Sequence, residues 1–365
     1  MDLLTLGLRV LAFAAGATVV GIAVNSSVRT VILPRAVPSV ITRRVFDATR
    51  RLFELRIGRG ATYERRDAVM AGFAPTALLL LLVTWLVLIL AGFTFIFWAL
   101  GDPLDVAFRL SGSSIVTLGF QAPSGIANTI GVVSEGLLGL IELALLIAYL
   151  PAIYGAFQRR ESLVTKLEVR AGSPPSGIEL LERFHRLHSE ASLGDVWGQF
   201  EDWFVDIEES HTSLPSLNFF RSPQPRRSWI TAAGAVLDGA ALYSSVLEHP
   251  QGRDTRADLC IRAGYVALRY VCDFFKLPYN ATPQRGDPIS IAREEFDEAV
   301  NRLQASGLDV RADREAAWAD FAGWRVNYDD ALLAVAQLVS APYAPWSSDR
   351  GAARRPRRLR ALIGF

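Results

Sequence analysis

Cysteine and lysine are scarce in this chain of 365 residues, and recognisable catalytic motifs are lacking. The two cysteines, Cys260 and Cys272, are too few for a disulfide framework and fit a reducing compartment. No nucleophile motif, phosphate-cradling glycine loop or dinucleotide fingerprint occurs, so we do not expect an enzyme. The preference for arginine over lysine is typical of a GC-rich bacterial genome.

Long runs without charge are, by contrast, abundant in the first 160 residues. The chain is 51% hydrophobic with a mean hydropathy of +0.25, which does not fit a wholly soluble protein. Three runs can each cross ~30 Å of hydrocarbon. The first lies in residues 1–24, the second begins at Phe73 and ends at Leu100, and the third covers 130–157. Arg9 precedes the apolar part of the first run, so a cleaved signal peptide is an alternative there.

The net charge of +1 conceals three differently charged parts. Residues 1–160 carry 14 basic and 9 acidic side chains, residues 161–349 carry 18 and 28, and residues 350–365 add six arginines. The connector 25–72 holds ten of the arginines, so the positive-inside rule predicts that it is cytoplasmic. The N-terminus and residues 102–129 are then outside the cell, and the chain after Arg160 lies on the cytoplasmic side of the cell membrane. This distribution argues against nucleic-acid binding.

Within the connector, arginines alternate with apolar residues between positions 40 and 66. That pattern predicts an amphipathic helix on the anionic lipid of the inner leaflet. The alternative is a helix that packs on the cytoplasmic domain and leaves its arginines in solvent.

The segment between the second and third spans is too apolar for a solvated loop. Asp102 suits a helix N-cap and Pro103 the first helical position, which predicts a short helix over 103–116. The next five residues, 117–121, read Thr-Leu-Gly-Phe-Gln and have no helical period. Non-helical backbone at membrane depth is tolerated only where protein buries it or where it lines a water-filled path.

This order of elements resembles the pore domain, here residues 73–160, of tetrameric potassium-channel-like proteins, whose filter reads Thr-x-Gly-Tyr/Phe-Gly. The resemblance covers about a quarter of the chain. It implies that the carbonyl groups of Thr117, Leu118, Gly119 and Phe120 line the path of a monovalent cation, with K⁺ as the expected ion and no other cofactor. Gly119 supplies a backbone conformation that a side chain forbids, and Phe120 packs outward against the preceding helix.

Gln121 stands where the family has its second glycine. Its side chain puts the outermost carbonyl site, and with it potassium selectivity, in question. One filter segment per chain implies a homotetramer around a four-fold axis.

Two carboxylates and two backbone-altering residues mark the third span. Glu135 is expected to support the filter from behind, while Glu142 either faces the cavity or forms an internal hydrogen bond at a helix contact. Gly139 permits close helix approach or acts as a gating hinge. Pro151 is expected to kink the inner end of the span.

Residues 161–349 have helical periodicity and predict a cytoplasmic bundle of about six helices. His185 and His188, with Glu182 and Glu190, form either a metal site or a solvated helix face. The aromatic-rich connection 211–229 is either a pocket, a subunit contact or a loop pinned to the bundle. The basic tail, residues 350–365, either binds anionic lipid, binds the acidic bundle of a neighbour or is disordered.

The sequence therefore predicts an all-α membrane protein with three transmembrane helices, a re-entrant pore helix and a cytoplasmic helical domain. Its expected function is that of a tetrameric cation channel whose cytoplasmic domain regulates or assembles it. The alternative is a non-conducting membrane scaffold or signalling protein that uses a pore-like unit to form tetramers.

Overall fold

The computed structural model describes residues 3–33, 39–58, 61–249, 252 and 254–352. These residues fold into helices without a named strand, which confirms the all-α prediction. Contacts divide the chain into two units, one of residues up to Arg56 with Gly72–Tyr154, the other of Ile57–Ala71 with the residues from Gly155 onward.

The first unit is built on long apolar helices. Its elements are α1 (Leu3–Ser27) with a π-helical turn at Val28–Ile32, α2 (Val40–Arg56), α4 (Phe73–Leu100), α5 (Leu104–Ile115) and α6 (Gly125–Ala171) as far as Tyr154. Helices α1 and α4 cross closely, since a Cβ atom on Gly16 would lie 2.4 Å from the Gly92 carbonyl oxygen. A core of α1, α4 and α5 side chains, including Ile89, Phe97 and Leu110, is buried.

The second unit contains the remaining helices. They are α3 (Tyr63–Ala71), the rest of α6, α7 (Gly177–Arg186), α8 (Leu193–Ser213), α9 (Trp229–Val246), α10 (Thr255–Phe275), α11 (Arg293–Ala305), α12 (Arg314–Arg325) and α13 (Asp329–Leu338). Short 3-10 turns lie at Glu190–Ser192, Pro215–Phe219 and Ser348–Ala352. Helix α9 is rich in small residues and buried along nearly its whole length, and α7, α10, α12 and α13 pack around it.

A buried ionic cluster fixes α9 against α12 and α13. The fully buried guanidinium of Arg325 donates to Asp238 of α9, to Asp329 Oδ1 (2.8 Å) and to the Trp346 carbonyl oxygen (2.6 Å). The Tyr328 hydroxyl also donates to Asp238 (2.9 Å). Burial alone would lower the pKa of Arg325, but the Asp238 and Asp329 carboxylates outweigh it and raise the pKa above its usual value, because each stabilises the charged guanidinium. Removal of one partner would leave an uncompensated buried charge.

Three helical stretches are long and apolar enough to cross a membrane, Leu3–Ile32, Tyr63–Leu100 and Gly125–Ala171, as the sequence predicts. Their bounds exceed the predicted ones. Charged residues extend the third helix beyond the apolar run, because arginine, glutamate and lysine all favour helix.

The connector differs from the single predicted helix. It forms α2 in the first unit and α3 in the second, because the helical run of α2 ends at Arg56, just before Gly58, a poor helix former. The short helix predicted at 103–116 is α5, one residue shorter at each end. Most of the predicted basic tail lies outside the described residues, which end at 352.

Candidate functional site

Asp102 links the beginning of the segment between α4 and α6 to its end. Its carboxylate accepts hydrogen bonds from Asn128 Nδ2 (2.7 Å) and Ser124 Oγ (3.2 Å), both next to or within the first turn of α6. The prediction that Asp102 caps α5 is wrong. Pro103 occupies the N-cap position without a side-chain cap, since the Asp102 carboxylate bonds across to α6 instead.

Helix α5 ends in a Schellman motif with Thr117 in the left-handed position, φ +55°. The amide of Thr117 donates to the Ser114 carbonyl oxygen (2.9 Å) and that of Leu118 to the Ser113 carbonyl oxygen (3.0 Å). Gly119 also has positive φ (+70°), where only glycine is free of strain. The predicted conformational need for Gly119 thus has a structural counterpart, whereas the left-handed threonine is a feature that the sequence did not predict.

Four consecutive carbonyl groups, beginning at Thr117 in this motif, accept no hydrogen bond from the described part of the chain. No described residue donates to the carbonyl oxygen of Thr117, Leu118, Gly119 or Phe120. The amides, in contrast, are partly used, and the amide of Gln121 donates to Ser113 Oγ (3.1 Å). These residues are exposed in the single chain, where water can satisfy such carbonyl groups. At membrane depth the same run would need a water-filled path, an ion or another chain as its donor or ligand.

The side chains around these carbonyls are largely exposed in the single chain. Leu118 is 70% and Phe120 61% exposed. In one protomer the Phe120 ring is therefore largely exposed, although the amides of Leu118, Gly119 and Gln121 donate back to Ser113 of α5. The packing of Phe120 on the preceding helix stays a prediction.

The end of α5 rests on α6 at two glycines. A Cβ atom on Gly139 would lie 2.3 Å from the Ile115 carbonyl oxygen, and one on Gly136 would lie 3.4 Å from that of Ser114. Any side chain at 139 must therefore displace backbone. This contact supports the prediction that Gly139 permits close helix approach, the first of the two roles considered for it.

Glu135 lies on the same helix one turn from Gly139 and is fully buried. Its Oε1 atom lies 2.5 Å from Ser111 Oγ of α5, and that hydroxyl is also 2.9 Å from the Leu90 carbonyl oxygen of α4. Its Oε2 atom is buried without a partner among the described residues. The side chain thus ties α6 to α5 just before the left-handed cap, the place expected for a group that supports the segment from behind.

Glu142, like Glu135, is hydrogen-bonded to a serine of another helix. It is 2% exposed, and its Oε1 atom accepts from Ser27 Oγ of α1 (2.6 Å). Ser27 precedes the π-helical turn, next to Ser26, whose Oγ accepts from Trp85 Nε1 of α4 (3.0 Å). Of the two alternatives for Glu142, the described contacts match the internal hydrogen bond at a helix contact.

Pro151 lies inside α6, which remains helical on both sides of it. Beyond it, in the second unit, Arg160 of the same helix is completely buried. Its guanidinium donates to the carbonyl oxygens of Leu217 (2.9 Å) and Phe220 (2.7 Å) and to Glu161 (3.0 Å). The connection 211–229 is thereby pinned to α6, as in the third alternative considered for it.

His211 completes this buried cluster. Its Nε2 atom lies 3.3 Å from Arg160 Nη1 and its Nδ1 atom 3.0 Å from Ser210 Oγ. A guanidinium only donates, so Nε2 accepts and the proton of the neutral ring is on Nδ1. Burial, and next the Arg160 charge, hold the pKa of His211 well below its usual value of 6.5.

The structure does not bring His185 of α7 and His188, which follows α7, together with Glu182 and Glu190 as a metal site. His185 Nδ1 lies 2.6 Å from Glu190 Oε1, while Glu182 is paired with Arg302 of α11 (2.6 Å) and the His188 side chain is exposed. The described residues contain no group of three or more histidine, cysteine, aspartate or glutamate side chains able to hold a metal ion.

The chain was compared with family models, curated proteins and solved structures, and none of them matches it.

Sequence reasoning identified Gly119, Glu135 and Gly139 but missed their partners. Ser111 and Ser27 carry no motif and are 24 and 115 residues from the glutamates that they contact. A signal was nevertheless present, since small polar residues in apolar helices commonly bond across helix contacts. The sequence indicates Arg160 only as the residue after which the chain is cytoplasmic. Its complete burial shows that it also holds segments of the second unit together.

Proposed function

We propose that four copies of the chain form a cation channel in the cell membrane, similar to potassium-channel-like pore-loop proteins. Each copy contributes Thr117–Gln121 to one conduction path. The observation that carries this proposal is the run of four carbonyl oxygens without donors, between a short helix and a long apolar one. In an apolar surrounding, such a run is satisfied if cations bind to it.

The orientation of α5 adds to this. Its C-terminal end, the negative end of the helix dipole, directly precedes Thr117. A permeant cation, with K⁺ as the first candidate, would be stabilised there. Because one chain supplies only one such segment, closure around a cation requires a homotetramer.

Selectivity is the property in which this protein differs from the resembling family. Gln121 replaces a glycine at the outermost carbonyl position, and Ala122 follows it. We expect a pore that prefers potassium less strongly than the family does.

The charge distribution assigns the other segments to one side of the membrane or the other. The arginine-rich connector faces the cytoplasm and anionic lipid, the N-terminus is outside, and the second unit is cytoplasmic and regulatory or assembling. The protein needs no resident cofactor, nucleic acid or catalytic site for this function, and its excess of arginine over lysine fits a bacterium.

Ion flux in proteoliposomes of the purified full chain tests the proposal. Wild-type protein should carry a K⁺ flux, which Gly119→Ala abolishes because alanine is strained at φ +70°. Gly21→Ala is the matched control, since its Cβ meets nothing within 4 Å and its backbone is helical. Gln121→Gly should raise the K⁺/Na⁺ ratio. A wild-type protein that is tetrameric but carries no flux under any voltage would support the scaffold alternative instead, and a monomer or dimer would exclude a shared pore.

A further inference from the structure

The second unit contains a cleft of about 320 Å³ between α3 and the end of α13. Tyr63 and Arg66 of α3 form one side, and Leu333 and Gln337 of α13 with Ser340 form the other. This volume is at the lower end of the range for small-molecule sites, about 300–1,000 Å³.

Three polar side chains of the cleft have no partner within the described ranges of the chain. No hydrogen bond or ion pair among the described residues uses the Arg66 guanidinium, the Gln337 amide or the Ser340 hydroxyl. Neighbouring groups are engaged: the Tyr63 hydroxyl accepts from Arg221 (3.3 Å), and Asp67 is paired with the same arginine. The donors that remain are therefore a planar cationic fork, an amide and a hydroxyl on opposite walls.

An arginine beside the cleft, outside its lining, links the two sides of the cleft. Arg221 joins Asp67 of α3 to the Val339 carbonyl oxygen (3.1 Å) at the end of α13. The chain then turns at Ser340, which has a left-handed conformation (φ +52°) and lies just after the C-terminal end of α13. Such a preformed arrangement of a few polar groups beside apolar walls is typical of ligand sites.

We propose that this cleft binds a small organic anion, a carboxylate or phosphate with a compact apolar body. The anionic group would bind the Arg66 guanidinium, whose two parallel N–H donors match carboxylate and phosphate oxygens in geometry and charge. Gln337 and Ser340 would donate to its remaining oxygens, and the body would lie along Leu333 and the Tyr63 ring. The ligand would join α3 to α13 from the open side, opposite Arg221.

Binding is tested by calorimetry on the full chain in detergent, with phenyl phosphate and benzoate as probes and benzyl alcohol as the neutral comparison. We expect heat from at least one anion and none from the alcohol. Arg66→Ala should weaken binding at least tenfold. Arg65→Ala, which removes a neighbouring exposed arginine of α3 outside the cleft lining, should bind as wild type does.

Hydrogen exchange gives a second readout. The bound anion should slow exchange of the α3 amides in wild type and not in Arg66→Ala, because the ligand joins α3 to α13. Repeating the titration in nanodiscs of phosphatidylglycerol and of phosphatidylcholine identifies the source of the anionic group. Probe binding lost only in phosphatidylglycerol assigns the site to a lipid headgroup, and binding kept in both assigns it to a free anion.

The proposal is overturned if neither anion binds in detergent, if the alcohol binds as well as the anions, or if the Arg66 and Arg65 variants lose affinity alike. None of these measurements depends on ion flux, so a failure here leaves the channel proposal standing, and a non-conducting protein leaves this site standing.

Discussion

Thr117 combines two demands at one residue. Helix caps in the left-handed region are usually glycine, because a Cβ atom costs roughly 1–2 kcal/mol there. A β-branched residue at φ +55° is therefore a strained choice for a cap alone. Its presence is explained if the hydroxyl has a task of its own, which in the proposed channel is to bind the innermost cation.

Thr117→Gly separates these two demands. Glycine relieves the strain, so the free energy of unfolding should stay equal or rise by at most about 1 kcal/mol. The thermal midpoint in detergent measures this change. Flux or ion preference should nevertheless change, because the hydroxyl is lost.

Lys276→Gly is the control, as Lys276 ends α10 in the same left-handed position, φ +54°. It should affect stability in the same direction and leave flux alone. Unchanged flux and selectivity in Thr117→Gly would mean that the residue is only a cap.

At the scale of elements, the helices were predictable because their signals are local. Apolar length predicts α1, α4 and α6, and the Pro-Leu-Asp start with its apolar face predicts α5. The contacts between these helices were not predictable. Nothing in the sequence distinguishes Ser111 from other serines, and the break between α2 and α3 places two halves of one arginine-rich pattern in different units.

Gly139 tests whether α6 is held by contact or bends there. Gly139→Ala places a methyl group against the Ile115 carbonyl oxygen, so the end of α5 must shift and the protein should lose about 1–3 kcal/mol of stability. Gly155→Ala, on the same helix, should be neutral or stabilising, because its Cβ atom would meet only the Arg159 side chain, at 3.9 Å. Thermal unfolding of both variants gives the comparison. A Gly139→Ala protein as stable as wild type but with altered opening would favour the hinge.

At the scale of the whole molecule, the second unit carries its own response to pH. Folding holds the pKa of His211 below 6.5, so the unfolded chain binds this proton more readily than the folded one. The stabilisation is fully present above pH 6.5 and is lost as the pH falls towards the folded pKa, with a slope of at most about 1.4 kcal/mol per pH unit.

His211→Gln should flatten this part of the stability profile between pH 8 and pH 5, because an uncharged amide replaces the imidazole beside Arg160. His188→Gln, which removes an exposed imidazole of the same unit, controls for the loss of a histidine. Thermal midpoints across this range make the comparison. Equal slopes in wild type and His211→Gln would mean that other groups set the acid limit.

The position of α3 makes the two units inseparable by a single cut. The polypeptide passes from one unit to the other at Arg56, at Gly72 and at Gly155, so the second unit is an insertion as well as a C-terminal extension. A protein ending at Tyr154 would keep Asp67 and lose Arg221, leaving a buried carboxylate without its counter-charge. The first 154 residues therefore already contain a helix, α3, whose buried Asp67 pairs with an arginine that lies beyond them.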